Sequence, residues 1–303
     1  MRIDIVADDL TGACDTGAAF PGAVVVLREP SPRAEVMVFS TDSRGLEPGD
    51  AADVVASLWR RLPPADVYYK KIDSMMRGNV GAELAAIPLR PAILCPAFPE
   101  QGRVVRGGVA WPAGVDLRGL GCEVRDAETP EDLERIATEA LVRRPIPLLV
   151  GSAGLARAVA AAAGIKPAFR RSGVHQPGVA VLAVGSNHEV TRCQVRWIES
   201  HAPASYIHYE VDTRRPSQSQ VRMLCSDVVE RRCGGLFLCG GDTARLVCEA
   251  LGVNAIRLEG ELLPGVPIGR LVGGPAEGTT VVTKSGGFGA EDAIAKVIAV
   301  LGQ

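Results

Sequence analysis

Polar residues suited to binding a small molecule follow directly after apolar runs of strand length. The first such run, residues 3–6, leads into three carboxylates and a hydroxyl, Asp8, Asp9, Thr11 and Asp15. Taken alone, this group has a second interpretation as a solvated turn that caps the next helix, because acidic residues are common in turns and at helix starts. Both interpretations stay open for this group by itself.

A second polar group ends the apolar run 67–69 and changes the balance between these interpretations. It consists of Lys71, Asp73, Ser74 and Arg77. A planar guanidinium matches a carboxylate, whereas Asp and Ser side chains hydrogen-bond to hydroxyls. A third turn, 95–103, again follows an apolar run and supplies Gly102 and Arg103. Together the three groups predict a pocket for a small, hydroxylated acid.

Two glycine-rich turns in the second half of the chain are candidate phosphate sites. Residues 281–289 are typical of a strand that ends at Lys284 and enters a turn with glycines at 286, 287 and 289. Backbone amides can approach an anion closely where no Cβ intervenes, and the start of the following helix adds positive potential. A similar turn, Gly240-Gly241, follows the run 237–239, where Asp242 or Thr243 can cap the next helix. This pair of turns predicts binding of a nucleotide or another polyphosphate.

Two residues of these turns have alternative roles. Asp242 could orient Mg²⁺ or a ribose hydroxyl, or it could only cap a helix. Lys284 could contact phosphate, which we favour, or only close the end of its strand. The Walker pattern Gly-x-x-x-x-Gly-Lys-Ser/Thr is absent from the sequence, which argues against a P-loop kinase.

The elements that must position these residues alternate along the chain. Apolar runs occur at 3–6, 23–27, 36–39, 67–69, 92–95 and 147–150, and helical patterns occur at 51–61, 80–87, 132–142 and 153–163. Such alternation predicts a mainly parallel sheet flanked by helices. The pattern restarts at 179–184, with a strand near 205–209 and a helix near 219–231, after a Pro- and Gly-containing stretch, 164–178, that is a candidate linker. We therefore expect two α/β domains, 1–170 and 177–303.

Composition limits the classes of partner. The 303 residues are 47% hydrophobic and 22% charged, with a net charge of −2, so no general attraction to nucleic acid or to an anionic membrane is expected. Carboxylates near the N-terminus interrupt any signal-peptide pattern, and no run of about 18 apolar residues follows, so a cytoplasmic location is the expectation. The eight cysteines contain no Cys-x-x-Cys pair and are interpreted as reduced.

Several motifs in a fixed order resemble those of one known family. They are ADDLTGA at 7–13, KKIDS at 70–74, RGNVG at 77–81, PAFP at 96–99 followed by Gly102 and Arg103, GGDTA at 240–244, LPGVPIG at 263–269 and KSGGFG at 284–289. In this combination the chain resembles the four-carbon acid sugar kinase family, formerly a domain of unknown function. Members of that family phosphorylate threonate, erythronate or 3-oxotetronate with ATP.

The resemblance implies a sugar-acid-binding domain followed by a nucleotide-binding domain, with a cleft between them. It implies substrate contacts from Asp9, Lys71, Asp73 and Arg77. It also implies that ATP is surrounded by nine residues of the second half: Gly185, Ser186, Gly240, Gly241, Asp242, Thr243, Gly286, Gly287 and Gly289. The chain departs from the family pattern at Met75-Met76, where Thr-Leu is usual, and at the turn 186–188. The segment 106–126 and the whole chain are also short for the family.

The mechanistic hypothesis follows from these assignments. Arg77 and Lys71 anchor the carboxylate of the acid, Asp9 or Asp73 positions or deprotonates the accepting hydroxyl, and Mg²⁺ bridges the phosphates of ATP. Two alternatives remain: a degenerate family member that binds nucleotide or sugar acid without turnover, and a phosphate-ester hydrolase or lyase on a similar fold.

A homodimer is the expected assembly, since C2 dimers are the commonest oligomers of soluble enzymes.

Overall fold

The structure is a computed structural model that describes residues 1–88, 91–169, 178–201, 205–230 and 233–302. The chain divides into two compact units: Met1–Phe20 with Ala34–Pro167, and Pro21–Arg33 with Ala168–Gln303. The candidate linker 164–178 lies largely outside the described residues, since 170–177 are not described. Within the described ranges, no helix is long and apolar enough to cross a membrane.

The secondary structure alternates through most of the chain. The strands are β1 (Ile3–Ala7), β2 (Val24–Val26), β3 (Val36–Ser40), β4 (Val67–Lys71), β5 (Ala92–Cys95), β6 (Val104–Arg106), β7 (Val109–Trp111), β8 (Val115–Asp116), β9 (Glu123–Val124), β10 (Leu148–Gly151), β11 (Val179–Val184), β12 (Tyr206–Glu210), β13 (Cys233–Cys239), β14 (Ala255–Leu263), β15 (Val266–Val272) and β16 (Thr280–Lys284). The helices are α1 (Leu10–Gly17), α2 (Pro48–Trp59), α3 (Val80–Ala85), α4 (Pro130–Val142), α5 (Ala153–Ala162), α6 (Glu189–His201), α7 (Gln218–Val229), α8 (Gly241–Ala250) and α9 (Ala293–Leu301), and Pro99–Gln101 forms a 3-10 turn.

The first unit is built on a parallel sheet in the order β3-β1-β4-β10-β5-β9. All five residues of β1 are buried, as expected for a strand covered on both faces. Ala7 at the end of β1 pairs with Ser40 on one side and with Lys71 on the other. The loops that follow β3, β1 and β4 therefore begin side by side at one edge of the sheet. A small antiparallel sheet, β6-β7-β8, follows the third turn.

The second unit combines a parallel and an antiparallel part in one sheet. Strands β12, β11, β13 and β16 are parallel neighbours, and β15, β14 and β2 continue the sheet antiparallel. Val184, Cys239 and Lys284 are in register, so the turns after β11, β13 and β16 begin at one edge. The core includes side chains from β11, β13, β16 and α9: Leu182, Phe237, Val282, Ile294 and Ile298.

The predicted fold class, two α/β domains with mainly parallel sheets flanked by helices, is confirmed. The predicted helix near 219–231 corresponds to α7 (Gln218–Val229), and position 231 lies outside the described residues. Two features were not predicted. The hairpin β14–β15 was not recognised, and the apolar run 23–27 supplies β2 to the second unit, where it pairs with β14.

Candidate functional site

Three loops of the first unit meet around Arg44. The Nε and Nη2 atoms of Arg44 donate to the two carboxylate oxygens of Asp8 at 2.8 and 2.9 Å, and Nη2 also donates to Asp9 Oδ1 at 2.8 Å. Its Nη1 lies 3.9 Å from Asp73 Oδ2. Arg44 thus joins the loops that follow β3, β1 and β4. Sequence reasoning missed Arg44, although its position shortly after β3 is the same signal that identified the two aspartates.

Asp73 is held by Arg77 in a two-point contact. Arg77 Nε and Nη2 donate to the two oxygens of Asp73 at 2.9 and 2.6 Å, and the amide of Met75 donates to Oδ1 at 2.9 Å. The Asp73 side chain is 7% exposed, whereas that of Arg77 is 61% exposed. Arg77 therefore uses one edge of its guanidinium on Asp73, and its Nη1 makes no hydrogen bond to the residues that the structure describes. Nearby, Arg103 donates to the hydroxyl of Ser74.

Lys71 is a buried cation beside the start of α1. The residue is 5% exposed, and a Cβ added to Gly12 would lie 2.7 Å from Lys71 Nζ and 2.4 Å from Asp9 Oδ1. A glycine is therefore required at position 12 for the ammonium and the carboxylate to approach the helix. Among the described residues, the ammonium has no hydrogen bond or ion pair of its own. Lys71 is accordingly a positioned cation that an anionic ligand can pair with.

The charges of this cluster favour the ionised forms of Asp8 and Asp73. Burial raises the pKa of Asp8, but Lys71 and Arg44 outweigh burial and leave the pKa below its ordinary value. Burial likewise opposes ionisation of Asp73, but the hydrogen bond from Arg77 and the charge of Arg44 leave its pKa well below the ordinary value. A carboxylate with a lowered pKa is a weak proton acceptor. Asp8 and Asp73 are therefore better suited to holding cations than to removing protons.

A buried network lies behind the three loops. Lys70 and Glu83 are 0% and 1% exposed, and Lys70 Nζ lies 2.7 Å from Glu83 Oε2. Lys70 Nζ also donates to the carbonyl of Lys71 at 3.0 Å, and Ser43 Oγ donates to Glu83 Oε1 at 2.6 Å. Ser43 Oγ is in turn 2.7 Å from Thr41 Oγ1. The Lys70–Glu83 network thus fixes β4 and the loop carrying Arg44 to α3.

Three glycine turns of the second unit meet at the ends of β11, β13 and β16. A Cβ added to Gly286 would lie 2.0 Å from Ser186 Oγ, and one added to Gly185 would lie 2.2 Å from Thr243 Oγ1. Gly240 has a φ of +105°, which L side chains rarely adopt. The turns approach one another this closely because they carry glycine. The predicted residues Gly185, Ser186, Gly240, Thr243 and Gly286 are therefore brought together.

The carbonyls of the last turn are held inside the unit. Thr191 Oγ1 donates to the carbonyl of Gly286 at 2.7 Å, and Gln194 Nε2 donates to that of Gly289 at 3.1 Å. Lys284, which is fully buried, donates to the carbonyls of Ser285 and Phe288, each at 3.1 Å. Within the described ranges, the amides of Gly286 and Gly287 donate no hydrogen bond. Such amides are suited to an anion.

The contacts of Lys284 correspond to the second of the two roles considered for it, closing the end of its strand. Its ammonium stabilises the turn from inside, which is the strand-closing role, and burial lowers the pKa of Lys284. Direct contact of Lys284 with phosphate stays a prediction. At this turn the amides of Gly286 and Gly287, rather than the ammonium, are the donors without a hydrogen bond in the described part of the chain.

The start of α8 differs from the prediction. The N-cap is Gly240, and no side chain caps the helix, so the expectation that Asp242 or Thr243 caps it is wrong. The reason is that the chain turns at Gly240, which places both residues already within the first helical turn. Thr243 is buried against the Gly185 turn, and Asp242 is exposed. The uncapped amides leave the positive end of the helix available to an anion.

Comparison with protein families gives matches in both halves of the chain. A model described as a sugar-binding N-terminal domain matches residues 3–119, which include the Arg44 cluster. A model described as a nucleotide-binding C-terminal domain matches residues 215–294, which include the turns after β13 and β16.

Similar proteins cover nearly the whole chain. A D-threonate kinase of Bordetella bronchiseptica is 32% identical over 394 aligned positions, which cover 96% of this chain and 95% of that protein. A D-threonate kinase of Salmonella typhimurium is 27% identical, with 97% of both chains covered, and a D-erythronate kinase of Heliobacterium modesticaldum is 24% identical, with 96% and 95% covered. Since this chain has 303 residues, at least 91 of the 394 positions (394 minus 303) face gaps in it.

Two solved structures share the fold. One, from Salmonella typhimurium LT2, has a TM-score of 0.74 at 20% identity and covers 99% of this chain and 98% of its own. The other, from Haemophilus influenzae, has a TM-score of 0.67 at 18% identity and covers 98% of this chain and 100% of its own. At these identities the likeness concerns the fold alone.

Proposed function

Because the chain belongs to the four-carbon acid sugar kinase family, we propose that it transfers the γ-phosphoryl group of ATP to a hydroxyl of a four-carbon sugar acid. The observation that carries the proposal is Lys71, a buried ammonium that makes no hydrogen bond or ion pair among the described residues, set beside the carboxylate of Asp9. A hydroxylated carboxylic acid supplies both an anion for the first group and a hydroxyl for the second. The size and chemistry of this ligand agree with the substrates in the names of the relatives.

The acid is proposed to bind by its carboxylate between Lys71 and the outer edge of Arg77. Asp8 contributes indirectly, because its two oxygens hold the guanidinium of Arg44 against the site. Ser74 and Arg103, which hydrogen-bond to each other, and the backbone at Gly102 would contact the hydroxyls of the acid. The nearby cations also make the pocket favourable for a substrate that carries a negative charge.

Asp9 is the residue we assign to the accepting hydroxyl. Both oxygens of Asp73 are engaged by Arg77, and its pKa is lowered, so Asp73 is assigned to holding Arg77 in place. Asp9 is more open, with 15% of its side chain exposed, and its two oxygens are fixed by the amide of Gly12 at 3.0 Å and the hydroxyl of Thr11 at 2.8 Å. Phosphoryl transfer depends mainly on aligning the nucleophile and stabilising charge, so a well-placed carboxylate is sufficient.

The nucleotide is proposed to bind at the glycine turns of the second unit. The amides of Gly286 and Gly287, the turn at Gly289 and the start of α8 at Gly240-Gly241 would hold the phosphates, with Gly185, Ser186 and Thr243 beside them. Lys284 would keep the last turn in shape. Mg²⁺, when bound with the nucleotide, would neutralise phosphate charge, and one or two protein carboxylates would be enough to hold it. The exposed carboxylate of Asp242 fits that role.

The proposal is tested by ADP release with Mg·ATP and threonate, erythronate or 3-oxotetronate. Wild-type protein should release ADP only when an acid is added. Asp9→Asn should lower kcat by about 100-fold or more, because an aligned proton acceptor contributes roughly 10²–10⁴-fold, and should leave ADP affinity unchanged. Lys71→Met should chiefly raise the KM of the acid. Asp53→Asn, at an exposed position on α2, is the matched control and should behave as wild type.

Binding without turnover is the second candidate function. It is favoured by the at least 91 alignment positions at which this chain has gaps, since a missing segment could carry part of the site. Nucleotide binding by wild-type protein, without ADP release on any of the acids, would establish this alternative. Loss of ADP affinity in Asp9→Asn with turnover retained would instead contradict the assignment of Asp9.

A further inference from the structure

A cavity of about 910 Å³ lies in the second unit beside β12, and we call it the β12 cavity. One wall is a face of α6 that includes Val195 and Glu199, and another is the end of β12 with His208 and Glu210. The loop after β12 closes a third side with Asp212. This volume lies within the usual range for small-molecule sites and exceeds what a phosphate group alone requires.

The β12 cavity is continuous with the glycine turns. Gly185 and Ser186 line it directly. The same Ser186 lies against the turn after β16, since a Cβ on Gly286 would lie 2.0 Å from its Oγ. The amide of Val211 donates to the carbonyl of Val184 at 2.8 Å, which fixes the loop after β12 to the end of β11. A ligand whose phosphates lie at the glycine turns can therefore extend past Ser186 into this cavity.

Asp212 presents a pre-oriented acceptor to the cavity. Its Oδ1 accepts hydrogen bonds from the amides of Arg214 and Arg215 at 2.9 and 3.2 Å. These contacts fix the carboxylate and leave Oδ2 without a hydrogen bond to the part of the chain that the structure describes. In βαβ nucleotide sites, an acidic residue at the end of the second strand commonly binds a ribose hydroxyl, and Asp212 occupies that position relative to β11, α6 and β12.

The rest of the lining is partly apolar and balanced in charge. Val184, Val195 and Val211 supply apolar surface. The charged side chains of the lining are three of each sign, Arg192, Arg196 and Arg214 with Glu199, Glu210 and Asp212. Nε2 of His208 is buried and makes no hydrogen bond within the described ranges. A base offers an apolar face together with polar ring and amino atoms, so it matches a lining that is partly apolar and partly polar.

We propose that the β12 cavity binds the nucleoside half of the nucleotide, with Asp212 Oδ2 accepting a hydrogen bond from a ribose hydroxyl. The inference rests on the proposed function, because it extends the ligand whose phosphates lie at the glycine turns. It adds a specificity determinant: the protein distinguishes ribonucleotides from deoxyribonucleotides through Asp212.

The test is the affinity of ADP, 2′-deoxy-ADP and 3′-deoxy-ADP measured by calorimetry on the full chain, without an acid substrate. Wild-type protein should bind ADP about 10-fold or more tightly than at least one deoxy analogue, a difference of ~1.4 kcal/mol that one hydrogen bond to a charged group can supply. In Asp212→Ala the analogues and ADP should bind with affinities within about 3-fold of each other. Asp212→Asn keeps an oxygen that can accept the hydrogen bonds from the amides of Arg214 and Arg215, so the loop stays in place. This variant therefore tests the loss of the negatively charged acceptor alone.

The matched control is Glu249→Ala, on the far end of α8 and outside the cavity, which should keep the wild-type preference. Equal affinity of wild-type protein for ADP and both analogues would overturn the inference and leave the proposed nucleotide site intact. A preference that survives unchanged in both Asp212 variants would overturn it as well. Failure of wild-type protein to bind ADP at all would overturn the proposed function itself, and the inference with it.

Discussion

Removing the carboxylate of the Lys70–Glu83 network should destabilise the first unit strongly. In Glu83→Leu, the ammonium of Lys70 stays fully buried and, within the described part of the chain, keeps the carbonyl of Lys71 as its one hydrogen-bond acceptor. Breaking a buried ion pair by removing one partner typically costs about 3–5 kcal/mol, because an uncompensated charge is left inside. We expect the free energy of unfolding of the first unit to fall by that amount.

The double variant Lys70→Met/Glu83→Leu separates charge burial from loss of packing. Replacing both partners of a buried pair by apolar residues is often neutral or stabilising. Ser43 loses Glu83 as an acceptor but keeps its contact with Thr41. The double variant should therefore regain most of the stability that the single variant loses, and lie within roughly 1–2 kcal/mol of wild type, the range of one lost buried hydrogen bond.

Urea unfolding followed by tryptophan fluorescence measures this effect in a Trp197→Phe background. The remaining tryptophans, Trp59 and Trp111, both belong to the first unit, so the signal reports on that unit alone. Glu128→Leu, which removes an exposed ion pair with Arg106, is the control and should leave the urea midpoint unchanged. The reasoning is refuted if Glu83→Leu is as stable as that control, or if the double variant is no more stable than Glu83→Leu.

Two further predictions concern the glycine turns and the acidic cluster. Gly286→Ala should weaken ADP binding measured by calorimetry, because the added Cβ would lie 2.0 Å from Ser186 Oγ. The control is Gly49→Ala, which should bind ADP as wild type does, since nothing lies within 4 Å of the added Cβ. Equal ADP affinities of the two variants would contradict the close approach of the turns. Since the pKa of Asp73 is lowered from 3.8, its ionised form stabilises the folded state at neutral pH, and this stability is lost as the pH falls below about 4 through the folded-state value. As the pH is lowered, the urea midpoint of wild type should therefore fall more steeply than that of Asp73→Asn. If the two midpoints fall in parallel with pH, the lowered pKa of Asp73 is contradicted.

The sequence predicted the elements and the strand-end chemistry because both are local signals. Apolar runs end sharply before Asp8, Lys70 and Gly240, so the polar residues and glycines could be placed at strand ends without knowing the order of the strands. Arg44 also follows a strand closely, but its contacts with the loops after β1 and β4 could not be predicted, because they depend on β3 and β4 lying on either side of β1. The partner of β2 was equally inaccessible, since strand periodicity does not identify which distant segment completes a sheet.

The position of β2 affects the order in which the protein can fold during synthesis. Residues 21–33 belong to the second unit, although the chain before and after them belongs to the first. Arg28 and its partner Asn254 are 226 residues apart. At typical rates of translation, this segment leaves the ribosome roughly 10 to 45 s before the strand it pairs with. During that interval the first unit can be completed, whereas β2 cannot yet pair with β14. A fragment that starts at residue 168 would lack β2 and would expose the edge of β14 to other chains.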